Sequence, residues 1–141
     1  VTSVYSPSGD TTTYTPTFSH IEALEIKGDL DGAAAAWDVA VAENPQSVLT
    51  LVRAADFHLR LRQDANAALE RFVAARALGT GTPDARRYVQ QKIVDLYLGP
   101  LRDDGRAMVE LRRLIDGFPG TREADGARAA LAELKARRAE S

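Results

Sequence analysis

The sequence predicts an all-α fold built as an array of stacked antiparallel helical hairpins, about seven helices in all, preceded by an extended N-terminal arm. Three observations lead there. A spacing recurs: an Asp, an Ala four residues on, a bulky apolar residue four further, then a small or apolar one three after that. The copies are Asp29-Ala33-Trp37-Ala40, Asp64-Ala68-Phe72-Ala75 and Asp103-Ala107-Leu111-Leu114. They begin about 35 to 40 residues apart, a period that signals stacked helical hairpins. Two copies close on a proline five residues later, Pro45 and Pro119. From residue 18 onward the apolar residues keep helical spacing, with Gly and Pro breaking the pattern between segments.

The elements follow in order. Residues 1–17 hold six Thr, three Ser, two Pro and two Tyr, with Asp10 as their one charge. Such a stretch has too little apolar surface to fold alone and reads as an arm or linker. A sharper alternative lays it against a neighbouring subunit through Tyr5, Tyr14 and Phe18. Residues 18–138 form the helical domain, as hairpins over 18–45, 46–80 and 83–118 and a cap over 121–138. The first helix spans 18–27, turns Ile21 and Leu24 inward, and stops at Gly28. Asp29 caps the second, 30–43, by accepting a first-turn N–H. Asn44-Pro45 ends it, because the residue before proline is pushed out of the α region. The third, 46–62, carries Leu51, Ala55, His58 and Arg62 as its inward row. Asp64 caps the fourth, 65–78, which gives way to Gly79-Thr80-Gly81. Pro83 suits the first turn of the fifth, 83–98. Gly99-Pro100 breaks the chain and Asp103 opens the sixth, 104–117. Thr121 caps the last, 122–138, whose Ala124, Ala127, Ala130, Leu131 and Leu134 share one side. Arg128, Glu133, Lys135, Arg137 and Arg138 share the other, the polar outer face a terminal unit needs.

The recurring spacing has a physical reason. Residues four and three apart lie on one helix face, so Ala33, Trp37 and Ala40 form a single stripe. Alanine at the crossing lets the two helices of a hairpin approach closely. Trp37, Phe72 and Leu111 then fill the wedge between hairpins, and Ala40, Ala75 and Leu114 meet the next one. On these residues the chain resembles the tetratricopeptide repeat family. GDLDGAAAAWDVAVAENP is similar to the second helix of such a repeat, with Gly28, Ala33, Trp37, Ala40 and Pro45 in register. DDGRAMVELRRLIDGFPGT is similar through Ala107, Leu111, Leu114 and Pro119, and the middle unit keeps Ala68, Phe72 and Ala75 without the proline. The resemblance implies a right-handed α-solenoid over 18–138. The tyrosine usual in first helices is replaced by Leu24 and His58 and kept as Tyr97. One extra residue precedes Asp64 and Asp103, which leaves the register of the third and fifth helices open by one position.

Composition narrows the function. The chain has 141 residues, 45% hydrophobic and 27% charged, with a net charge of −2. That balance gives no global attraction to nucleic acid or anionic lipid. Zero cysteines remove disulfides and thiolate chemistry. No apolar stretch approaches the roughly 18 residues of a spanning helix. The chain starts at Val1, so a cleaved segment or a longer parent protein is expected, and a preceding leader or anchor stays open.

Catalytic and metal motifs are not found, and neither catalytic nor metal residues nor a cofactor are expected. His20 reads as a surface residue and His58 as a packed one. Asp29-Asp31 and Asp103-Asp104 sit at helix starts, where negative charge is favoured, so capping explains them. The Arg doublets 86–87, 112–113 and 137–138 read as solvated faces with pairs such as Glu110–Arg113. They lack interleaved aromatics, so nucleic acid is not an expected partner.

The resemblance also implies that a partner lies on the face formed by the first helices. Allowing for the extra residues, Glu22, Asp56 and Asp95 are equivalent there, with Glu25, Arg60 and Gln91 one turn away. Three carboxylates along one groove favour a basic peptide or cationic loop. The expected function is a non-catalytic interaction module with a protein or peptide partner, a scaffold or accessory subunit of a larger assembly. The alternative is a peptide-recruiting adaptor domain of a longer, membrane-anchored protein. A multi-subunit or membrane-associated complex fits either.

Overall fold

The structure, a computed structural model, describes residues 17–140. Seven α-helices follow one another, with no strand among the described residues. They are α1 (Ser19–Lys27), α2 (Leu30–Glu43), α3 (Val48–Arg60), α4 (Ala65–Ala77), α5 (Pro83–Leu98), α6 (Asp104–Gly117) and α7 (Arg122–Ala139). Each helix packs chiefly on the next, so the chain advances as the hairpins α1–α2, α3–α4 and α5–α6, with α7 laid on α6. Tyr5 and Tyr14 lie outside the described residues.

Side-chain caps set the helix starts. Asp29, Ser47, Asp64, Thr82, Asp103 and Thr121 each accept the backbone N–H three residues on, at 3.0–3.1 Å. Each such cap stabilises its helix by about 0.5–2 kcal/mol. Only α1 starts without one: its N-cap is Phe18.

The turn inside each hairpin repeats one device. The residue just before the capping aspartate is left-handed: Gly28 (φ 83°), Gln63 (φ 53°) and Arg102 (φ 47°). Glycine takes this conformation without strain, and the other two bear the cost of a Cβ there. In the second hairpin Asp64 N–H donates to the His58 carbonyl, and in the third Asp103 N–H donates to that of Tyr97. In the first, one residue shorter, Asp29 N–H donates to the Leu24 carbonyl. The extra residue is therefore real, and the bonds fix the register: Leu24, His58 and Tyr97 are equivalent, and so are Glu22, Asp56 and Asp95. Burial agrees. Thr50, Leu51, Ala54, Ala55, Phe57 and His58 are buried in α3, and their counterparts Val89, Gln90, Ile93, Val94, Leu96 and Tyr97 are buried in α5.

One stretch departs from the sequence reading. Helix α3 is shorter at both ends than 46–62, because Ser47 is its cap and the chain unwinds after Arg60 to reach left-handed Gln63. Arg62, expected on the inward row, therefore falls beyond the helix and is exposed. It donates instead to Asp31 at 3.0 Å and to the Leu30 carbonyl at 3.3 Å.

The core runs along the seams. Ala33, Ala68 and Ala107 are each 0% exposed at the helix crossings. Trp37, Phe72 and Leu111 are fully buried beside them, each side chain worth roughly 1.5–3 kcal/mol in apolar burial. Trp37 packs with Phe18, Ile21, Ala54 and Phe57. Leu51 and Ala55 belong instead with Ala68 and Phe72. A first helix thus has two apolar faces, one toward the preceding hairpin and one toward its own partner. The outer helices bury one face each. His20 and Ala23 of α1, counterparts of Ala54 and Phe57, are exposed. Helix α7 buries Ala127, Leu131 and Leu134, the counterparts of Val89, Ile93 and Leu96, and exposes Arg128, Ala132 and Lys135.

The seam between the second and third hairpins also holds a buried polar network. Glu110 pairs with Arg113 at 3.7 Å as the spacing predicts, but it is not on a solvated face. It is buried, and accepts from Arg76 at 2.6 Å and from the Gln90 amide at 2.9 Å. Arg76 also donates to Gln90 Oε1 at 3.1 Å, and the Gln90 amide to the Glu110 carbonyl at 3.0 Å.

Candidate partner-binding groove

The first helices α1, α3 and α5, with α7, lie side by side along one face and are tied at each step by side chains. Between α1 and α3, Glu22 pairs with Arg53. The Arg53 guanidinium lies 5.4 Å from the Phe18 ring centre and 5.8 Å from that of Trp37. Between α3 and α5, the Tyr88 hydroxyl donates to both Asp56 carboxylate oxygens, at 3.0 and 3.1 Å. Lys92 Nζ stands 5.4 Å from the centre of the same ring. Burial, then the Asp56 charge and its hydrogen bond, push the Tyr88 phenol up to about 12. Between α5 and α7, Arg87 Nε reaches Glu123 at 3.4 Å and its guanidinium reaches Asp84 at 3.1 Å.

These ties change the picture of an acidic groove. Two of its three equivalent carboxylates are already engaged, Glu22 by Arg53 and Asp56 by Tyr88. Glu25 accepts from the Trp37 indole at 2.8 Å and so serves its own hairpin. Arg60 is exposed at the end of α3, where its charge opposes the rise of the Tyr88 phenol. By the turn register Glu25 corresponds to Leu59 and Leu98, so Glu25, Arg60 and Gln91 do not form an equivalent row. Phe18 is 6% exposed, with its ring 4.9 Å from Trp37, and is spent in the chain's own first hairpin.

Asp95 differs from its two counterparts. Among the described residues its one partner is Gln91, on the same helix, which donates at 2.8 Å. It opens on a cleft of about 450 Å³ between α5 and α7, with Val94, Leu98, Leu111, Ala127 and Ala130 as apolar wall. A second hollow of about 300 Å³ continues past Tyr88 and Lys92 toward Asp84. Arg53, Tyr88 and Lys92 escaped the sequence reading. A signal existed, since Arg53 and Lys92 each lie three residues before an equivalent aspartate, Asp56 or Asp95.

Elsewhere a pocket of about 160 Å³ lies over the buried network, lined by Val48, Arg76, Arg86, Val89 and Phe118 among others. Among the described residues no three His, Asp or Glu side chains converge as a metal site requires. No helix among them is long and apolar enough to cross a membrane. No family model matches the chain, and no curated protein is similar to it.

Proposed function

We propose that this chain is a non-catalytic protein–protein interaction module of tetratricopeptide type, acting as a scaffold or accessory subunit of a larger assembly. The observation that carries the reading is the face on which α1, α3, α5 and α7 lie side by side, tied at each step by side chains. Its carboxylates Glu22, Asp56 and Asp95 recur in register from hairpin to hairpin, and it ends in an open cleft whose Asp95 has no partner from another helix among the described residues. A repeated surface of this kind offers an extended partner successive equivalent footholds. The alternating Ala and bulky residues at the seams support the family assignment, because they are the residues on which the resemblance stands.

The test is affinity capture from a lysate at low and high salt, with mass spectrometry of the retained proteins and a parallel capture by the Asp56→Lys/Asp95→Lys variant. A stoichiometric, salt-resistant partner lost from the variant is the expected result for an assembly subunit. Substoichiometric, salt-sensitive peptides would favour a recruiting adaptor. A partner retained equally by the variant, or none above a tag-only control, overturns the groove as the binding surface.

A further inference from the structure

From the way the repeat breaks at its last step, we infer that the α5–α7 cleft receives a lysine or arginine side chain of the partner, whose positive end meets Asp95. The inference rests on the proposed interaction role and deepens it by naming what the groove recognises.

The register makes the argument. At each step the equivalent carboxylate, Glu22, Asp56 or Asp95, faces the next first helix. At the first step that helix supplies Arg53, which pairs with Glu22. At the second the counterpart of Arg53 is Lys92, whose ammonium lies over Tyr88 while the Tyr88 hydroxyl holds Asp56. At the third, with Val89, Ile93 and Leu96 matched to Ala127, Leu131 and Leu134, the counterpart of Lys92 is Ala130 and that of Tyr88 is Gly126. Cation and hydroxyl are both missing, and the space they would fill is the cleft itself, which Asp95, Gly126 and Ala130 line.

A basic side chain fits that space in both parts. Its aliphatic stem can lie along Leu98 and Ala130, the accessible apolar residues of the lining, while its charge reaches the carboxylate, as long cations do on apolar surfaces. An apolar ligand would leave the exposed Asp95 carboxylate without a partner of opposite charge, and an acidic one would meet like charge. Two of the other charges nearby are engaged. Glu123 is occupied by Arg87, and Lys92 is turned over Tyr88. Arg122 lines the cleft but makes no ion pair with Asp95, so it repels a cation without replacing it.

The probe is the blocked tripeptide acetyl-Ala-Lys-Ala-amide, titrated into the full chain while backbone amide resonances are followed. Peptides with norleucine or glutamate at the centre serve as controls. The lysine peptide should shift amides around Val94–Leu98 and Gly126–Ala130, and the two controls should bind more weakly. Asp95→Asn should weaken lysine-peptide binding by up to about fivefold, the upper end for an exposed ion pair. Ala130→Lys, which restores the cation that the earlier steps carry, should abolish binding and leave the thermal midpoint unchanged or raised. Norleucine binding as well as lysine, shifts confined to other regions, or full affinity in Ala130→Lys would overturn the inference. If the tripeptide fails while the Asp56→Lys/Asp95→Lys variant still loses a native partner, this inference falls and the interaction role stands. If no partner depends on the groove, the role itself falls.

Discussion

The two seams of this array are built on the same frame and filled with opposite chemistry. Between the first and second hairpins the register positions hold Val41, Leu51 and Arg71; between the second and third they hold Arg76, Gln90 and Glu110. The first seam is aromatic and apolar: Trp37 lies among Phe18, Ala54 and Phe57, and Arg71 merely reaches back to Asp38 at 3.1 Å. The second buries a charged pair bridged by an amide. Both seams keep alanine where one hairpin meets the next, with Ala40 and Ala75 buried. The difference teaches that alanine sets the separation of the helices, whereas the filling is interchangeable. A ring locks the first seam by shape. A polar network fills the second, and a buried ion pair of this kind is weak evidence for stability.

The largest expected effect breaks the first seam. Trp37→Ala should cost about 3–5 kcal/mol, from lost apolar burial and the cavity left behind. Phe18 would lose its ring partner and Glu25 the indole N–H. Urea unfolding would measure the loss. Because the residues around Trp37 form their own cluster, hydrogen exchange should accelerate in α1 and α2 well before α5–α7. Uniform acceleration along the chain would show that the seams do not open separately.

The second seam should respond through its charges. Arg76→Met leaves Glu110, whose side chain is 10% exposed, with Gln90 and the half-exposed Arg113 at 3.7 Å as partners. Stripping one member from such a pair costs about 3–5 kcal/mol when burial is complete, and less here, because Arg76 itself is 29% exposed. The Arg76→Met/Glu110→Leu double variant should be more stable than Arg76→Met alone, since no unpaired charge remains. Additive losses across the double-variant cycle would show that the pair is not coupled.

The two seams also show what could be read beforehand. Ala33, Trp37 and Ala40 announce a helix face because their spacing is local, and the capping aspartates announce helix starts for the same reason. The α3 ends were less legible: whether the chain unwinds at Arg60 or Arg62 depends on the left-handed turn at Gln63, which nothing in the residue type reveals. At Glu110 the i,i+3 pair with Arg113 is legible in the sequence and present, whereas the shorter bond to Arg76 is not, because Arg76 arrives from another hairpin. The groove was legible only in part for the same reason. Glu22, Asp56 and Asp95 could be aligned by counting, but that Arg53 and Tyr88 occupy the first two depends on how hairpins lie side by side.

The smallest effect sharpens the comparison at a single register position. Leu24, His58 and Tyr97 are equivalent, and His58 is the misfit. It is 5% exposed, and neither ring nitrogen has a hydrogen-bond partner among the described residues. Burial first, then the positive charges of Arg71 and Arg62, lower its pKa below 6.5, against the raising pull of Asp64 and Asp38. A base whose folded pKa is depressed binds its proton more readily when unfolded. Its contribution is therefore neutral above pH 6.5 and becomes destabilising as the pH falls through 6.5 toward the folded value. His58→Leu, which installs the residue α1 already uses, removes two unsatisfied buried atoms. It should raise stability by about 1 kcal/mol at neutral pH. The gap between variant and wild type should then widen between pH 7 and pH 5, read by urea midpoints at each pH. A constant gap would mean that His58 protonates equally well in the folded chain, and that its slot is as wet as the turn beside it.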